Sequence, residues 1–317
     1  MIVRNLLARA SHGRLSILIF HRVLRDRDPL FPTEPAADDF DALLAHLKER
    51  FSVLPLGDAV DRLYQGALPR ASLAITFDDG YADNLFVAAP LLRKHGIPAT
   101  VFIATGYLDG GIMWNDRVIA AFRSTSKTKI DLTGRGLAVY PTRTDGERRA
   151  GMDATLRELK YRPSEERERL AQAVLDTAGV DVPASPMLTS DGVRSLGSYG
   201  IDVGAHTITH PILARTSADC AWREIAEGKR ALESIAGREV TLFAYPNGKP
   251  GDDYGGEHVR MVREAGFAAA VTTARGAAHR AIDRMQLPRF TPWNRTPLRF
   301  DLLMLRNLHH GSAGAFA

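Results

Sequence analysis

Two adjacent carboxylates, Asp78 and Asp79, end the apolar run Ser72-Leu73-Ala74-Ile75-Thr76-Phe77 and are followed by Gly80. Neighbouring like charges repel and resist burial, so a core strand has little structural reason to end in them. In extended backbone, successive side chains face opposite ways. One carboxylate can therefore bind a cation while the other stays free to take a proton. The pair also reads as an ordinary Asp-Gly turn. A second cluster is His206-Thr207-Ile208-Thr209-His210. Imidazoles at this spacing share one face of a helix-like turn and can reach one ion. Two histidines and a carboxylate with open positions suit catalytic Zn²⁺, and the same donors suit Fe²⁺, Co²⁺ or Ni²⁺. His21 follows the run Leu15-Ser16-Ile17-Leu18-Ile19-Phe20, and Tyr245-Pro246-Asn247 stands at the end of a run beginning at Val240.

These groups need strands to hold them. Short apolar runs at 15–20, 51–56, 72–77, 99–104, 202–205, 240–245 and 268–273 alternate with helical stretches, among them 38–47, with His46 at a helix surface or end, and 84–95, and short connections between them imply parallel pairing. A last helix is expected over 301–310. The pattern predicts an α/β fold, a distorted (β/α) barrel of about seven parallel strands. In such a barrel, chemistry gathers at the C-terminal ends of the strands, where His21, Asp78-Asp79, His206 and Tyr245-Pro246-Asn247 all fall. The alternation breaks between 106 and 190. A helix from Trp114, a small hairpin or an irregular excursion over 130–140, and polar helices over 147–159 and 164–177 are expected there. The organisation expected is a single domain over 1–317 with a helical insertion at 106–190.

The 317 residues are 45% apolar and 25% charged, with a net charge of +4 from 41 basic and 37 acidic side chains. That is the composition of a globular chain with a full core. The arginines are scattered, which gives no nucleic-acid footprint. One cysteine, Cys220, excludes an intramolecular disulfide, and its setting is that of a packed thiol in a first helical turn. Residues 1–10 form too short and too basic a run for a signal peptide, and no stretch reaches the roughly 20 apolar residues of a membrane span. A cytoplasmic location is expected, with the amphipathic N-terminus leaving room for peripheral membrane contact.

Thr76-Phe77-Asp78-Asp79-Gly80-Tyr81 and His206-Thr207-Ile208-Thr209-His210 resemble the first two signature motifs of the polysaccharide deacetylase family, the NodB-homology or carbohydrate esterase 4 group. The resemblance covers about residues 15–105 and 190–295. It implies that Asp79, His206 and His210 hold the metal and that Asp78 is the general base. Phe243-Ala244-Tyr245-Pro246-Asn247-Gly248 is similar to the third motif, Phe-Arg-x-Pro-Tyr-Gly, with Ala244 at the arginine position and Asn247 at the tyrosine position. The oxyanion donor it implies is the Asn247 backbone N–H. Arg289, in Leu287-Pro288-Arg289, is the candidate replacement for the arginine that steadies the base, and a surface or salt-bridging role is its alternative. The family's C-terminal Leu-x-His has no counterpart near the end of the chain. Ile17-Leu18-Ile19-Phe20-His21 matches it at the start, which implies a circular permutation like that of the branch acting on poly-N-acetylglucosamine, with His21 as general acid; a satisfied strand-end histidine is its alternative. Asp283, by its position near Arg289, is a candidate to orient His21. Tyr81, Trp114, Tyr245 and Pro246 are expected to contact substrate, with plain core packing as the equal alternative for Trp114.

The function so implied is a metal-dependent hydrolase of C–N bonds other than peptide bonds. It would remove N-acetyl groups from a glycan or glycolipid, in a setting such as exopolysaccharide biosynthesis. O-deacetylation, hydrolysis of another small amide and a catalytically silent carbohydrate-binding role are the alternatives. None of these motifs encodes an oligomeric state.

Overall fold

Each parallel strand leaves its polar terminus at the same end of one curled sheet. The computed structural model describes residues 7, 10–291 and 296–309. Its strands are β1 (Arg14–Phe20), β2 (Ser52–Val53), β3 (Ser72–Phe77), β4 (Ala99–Ile103), β5 (Lys129–Asp131), β6 (Val139–Pro141), β7 (Ile201–Ala205), β8 (Leu242–Ala244), β9 (Ala269–Val271) and β10 (Ala278–His279). The large sheet runs β10-β1-β3-β4-β7-β8-β9, with β2 pairing with β3. Only β10 is antiparallel to its neighbour there.

The seventh position of the barrel-like curl is taken by residues 287–290. Leu287 bridges Val271 of β9, and Phe290 bridges Leu18 of β1, both in parallel sense. The Phe290 N–H donates to the Ile17 carbonyl at 2.8 Å, and the Leu287 N–H to the Ala270 carbonyl at 2.9 Å. Pro288 has no N–H to give a ladder, which keeps the link to two bridges rather than a continuous strand.

Two-residue alternation sorts the side chains. Leu73, Ile75 and Phe77 belong to the apolar layer under the helices. Ala74 joins Leu15, Ile17, Phe102, Leu242, Ala244, Val271 and Leu287 in a second layer inside the curl. Gly204 makes room for this inner layer, because a Cβ there would stand 2.4 Å from the Phe102 ring.

By contact density the chain forms two compact units. One comprises 1–26, 35–108 and 188–317, and the other 27–34 and 109–187. The second unit holds the β5–β6 hairpin and the helices Trp114–Ser124, Asp145–Lys160 and Ser164–Ala178, packed on a core of their own.

Several expectations are refined. Residues 84–95 are not one regular helix but a π-helical turn, Asn84–Ala88, leading into Ala89–His95. Pro90 lacks the N–H that an α-helix would need there. His46, expected on a helix surface, is a largely buried side chain whose Nε2 lies 2.8 Å from Asp301. The helix expected over 301–310 spans Pro297–His309, and His310 lies outside the described residues, as does most of the N-terminal segment 1–10. Among the described residues no helix is long and apolar enough to cross a membrane.

Candidate active site

Strand register brings the polar termini together. Phe20 is aligned with Phe77, Ile103 with Ala205, and Ala205 with Phe243. The residues that follow these positions, among them His21, Asp78, His206 and Tyr245, therefore emerge side by side at one end of the sheet.

Asp78 is buried at 3% exposure and faces Arg289, which is 1% exposed. The guanidinium donates from both terminal nitrogens to the two carboxylate oxygens, each at 2.7 Å. It also donates from Nε to the Thr272 carbonyl at 2.9 Å and from one terminal nitrogen to Thr76 Oγ1 at 3.2 Å. This is the bidentate geometry in which arginine binds carboxylate most strongly. Burial pushes the Asp78 carboxyl up. The charge and hydrogen bonds of Arg289, with smaller help from His206 and His21, outweigh it and leave the group below the usual carboxylate range.

Among the described residues Asp79 has no such cation. It turns away from Asp78 at φ +75°. Its Oδ1 is buried without a hydrogen-bond partner among the described residues. His206 Nε2 and His210 Nε2 stand 3.5 and 3.4 Å from that oxygen, too far for good hydrogen bonds. The three donor atoms lie within 4.8 Å of one another. The Nδ1–H of His206 donates to the Ala244 carbonyl at 2.7 Å, which leaves its Nε2 lone pair aimed at the cluster. Burial pushes Asp79 up, but the imidazoles beside it and His21 hold it well below its ordinary value. Burial pulls His206 down, yet Asp79 and Asp78 lift it above the ordinary value. Burial, only partly offset by Asp79, takes His210 down to about 4, so its imidazole is neutral at ordinary pH. An orphaned carboxylate oxygen facing two imidazole nitrogens fits a divalent first-row cation, and the mixed O and N donors do not select among zinc, cobalt, nickel and iron.

The described residues include six non-glycine positions at positive φ: Ala71, Asp79, Asp109, Thr207, His210 and Asn247. Four of them are in this cluster. Such strain persists only where the surroundings enforce it, and it gathers at functional sites. Asn247 takes φ +58°. Its carbonyl accepts from Thr273 Oγ1 at 2.7 Å, while its N–H makes no hydrogen bond among the described residues. That N–H is available to an oxyanion.

His21 is exposed at the end of β1. Its carbonyl accepts from Asn84 Nδ2 at 2.9 Å. Next to it, Arg22 is held by Asp83 at 2.7 Å. Asp283 does not orient His21. It pairs with Arg263 at 3.1 Å.

Three of the expected substrate contacts are buried. Tyr245 is 0% exposed and stacks on Tyr254 at 3.9 Å between centroids. Tyr81 is 3% exposed under the Arg22 guanidinium. Pro246 is buried as well. These side chains pack among the strand ends with little surface of their own. Trp114 belongs to the second unit, where it packs against that unit's core with Arg167 over its ring at 5.2 Å.

Residue reasoning on the sequence missed the bracing partners. Asp83 and Asn84 follow the paired carboxylates within one turn, and that proximity was the available signal. Glu224, buried at 8% exposure in the helix Ala218–Ala236, accepts from the backbone of the His206–His210 loop. Only its spacing of four from a mid-helix glycine, Gly228, marks it in the sequence.

The family model for polysaccharide deacetylase matches residues 65–270. YxkH of Bacillus subtilis (strain 168), whose name places it among the polysaccharide deacetylases, is 21% identical over 270 residues, covering 84% of this chain and 67% of the relative. Among solved structures, the Streptococcus pyogenes deacetylase PplD in complex with acetate superposes with a TM-score of 0.61 at 20% identity, covering 94% of this chain and 99% of that one. IcaB from Ammonifex degensii gives 0.60 at 17% identity, covering 92% and 95%. At these identities the structural likeness establishes the fold.

Proposed function

Because the chain belongs to the polysaccharide deacetylase family, we propose that it is a metal-dependent hydrolase removing N-acetyl groups from a glycan or glycolipid, with 1–317 acting as one deacetylase domain interrupted at 106–190. The observation that carries this reading is the division of labour between two neighbouring carboxylates. Asp78 is ionised and clamped by Arg289, while Asp79 presents an unpaired oxygen to two imidazole nitrogens.

Asp79, His206 and His210 would hold the cation. Once bound, a divalent ion acidifies water and polarises a carbonyl. Asp78, kept ionised by Arg289, is the acceptor for the proton of the attacking water. The Asn247 N–H donates to the oxygen of the acetyl group as negative charge gathers there. His21, exposed and anchored through its backbone by Asn84, supplies a proton to the nitrogen as the C–N bond breaks. Acetate and a free amine leave. Arg289 takes the place of the motif arginine absent at Ala244, reaching the base from the bridging segment 287–290 between β9 and β1.

Acetate release from N-acetylglucosamine oligomers tests the reading. Metal-loaded enzyme should release acetate, and chelated enzyme and Asp78→Asn should not. Release that survives chelation or the Asp78→Asn substitution would sink it.

A further inference from the structure

The five-residue loop His206–His210 carries two of the three donor side chains and two strained residues, Thr207 at φ +66° and His210 at φ +54°. Loops of this kind relax unless their backbone is held from outside. Here it is held on two sides. On one side, the Thr105 N–H donates to the Thr207 carbonyl at 3.2 Å and the Gly106 N–H to the Ile208 carbonyl at 2.8 Å. On the other side stands a single side chain, Glu224. Its Oε2 accepts from both the Ile208 and Thr209 N–H groups at 2.8 Å, and its Oε1 accepts from Thr209 Oγ1 at 2.6 Å. Among the described residues no cationic side chain pairs with that buried carboxylate, and the loop supplies its hydrogen-bond partners. Four residues on, Gly228 lets the helix backbone approach the loop. A Cβ there would stand 3.0 Å from the Thr207 carbonyl carbon.

We propose that Glu224 is a positioning residue that presets the cation-ligating loop, so that its loss is read first in metal affinity. The inference rests on the reading that Asp79, His206 and His210 bind a divalent cation. The physical reason is preorganisation. With two amide donors and a hydroxyl tied to one carboxylate, the imidazoles are held near their ligating positions before the ion arrives, and the ion need not order the loop.

The test is zinc titration of the full chain against a chromophoric chelator, for wild type, Glu224→Gln and Glu224→Ala, with thermal midpoints of the metal-free proteins measured alongside. Glu224→Ala should weaken zinc binding by about tenfold or more, in line with outer partners of metal ligands. Glu224→Gln keeps an oxygen for the two N–H groups and should recover most of that affinity. A Glu224→Ala protein that is folded and binds zinc within about twofold of wild type would overturn the inference, because an outer partner is expected to matter more than that. So would a loss that Glu224→Gln shares in full. If Glu224→Ala does not fold, hydrogen exchange of metal-free wild type decides. Protected Ile208 and Thr209 amides support the bracket, and exchange at the rate of open loops overturns it. The zinc constants are obtained whether or not acetate is released, so failure of the deacetylase reading is a separate result. Wild type that takes up no zinc overturns the ligand set and this inference together.

Discussion

Asp78 and Asp79 are neighbours in sequence and nearly equal in burial, yet they sit in opposite electrostatic settings. Asp78 has both oxygens matched by the fixed fork of Arg289. Asp79 keeps a buried oxygen without a partner, before two imidazoles. The first half of the site is complete as the chain folds. The second half is a set of three donors, Asp79, His206 and His210, that could hold a metal ion. A fold can thus carry two buried carboxylates side by side when one has a countercharge of its own and the other faces two imidazole nitrogens.

Breaking the second half should have the largest effect. Asp79→Ala should abolish metal retention and lower acetate release by more than about 100-fold, beyond what outer partners of a metal site usually contribute. Metal content by elemental analysis, read beside the rate, checks it. Full activity with full metal content would refute the division of roles.

Breaking the first half should be read in stability as well as rate. Arg289→Met strips a fully buried carboxylate of its only bidentate partner, and such losses cost about 3–5 kcal/mol. Denaturant unfolding measures this. Adding Asp78→Asn to Arg289→Met should recover part of the loss, since the uncompensated charge then disappears.

The same variant sharpens the comparison through pH. In the wild type the folded Asp78 carboxyl lies below its ordinary value of 3.8. Its stabilising contribution is therefore complete above that value and is lost only as pH falls through the depressed one. In Arg289→Met, burial, the largest influence on Asp78, acts with less opposition and raises the carboxyl. The acid limb of kcat/KM should then move towards neutrality. An unmoved limb would show that Asp78 is not the group titrating there.

The smallest effect is expected at Asn247. Asn247→Gly keeps the backbone N–H and suits φ +58°, so the rate should stay within about threefold. A much larger loss would mean that the asparagine side chain itself handles substrate.

Much of this was legible in the sequence. The runs ending at Phe20, Phe77, Ala205 and Ala244 appear where parallel strands were expected, with boundaries shifted by a few residues. The insertion's hairpin and helices were placed correctly, because capping residues and apolar periodicity are local signals. Misreadings came where environment overrides pattern. Pro90 turns a helical stretch into a π-turn and a short helix. His46 reads as a helix-surface or helix-end residue, but Asp301, more than two hundred residues later in the chain, pairs with its ring. Tyr245 has the chemistry of a sugar-stacking ring, but Tyr254 covers it.

The sequence by itself determined the strand termini, the paired carboxylates, the histidine spacing and the family, because each is written within a few adjacent residues. Tertiary structure alone decided that Arg289 reaches Asp78 across 211 positions, since that contact exists only when residues 287–290 join β9 to β1. It also decided that Glu224 lies beneath the histidine loop and that Thr207, His210 and Asn247 hold left-handed backbone. Such features carry no local periodicity. They arise where distant segments are packed together tightly enough to enforce conformations and charge pairs that none would adopt alone.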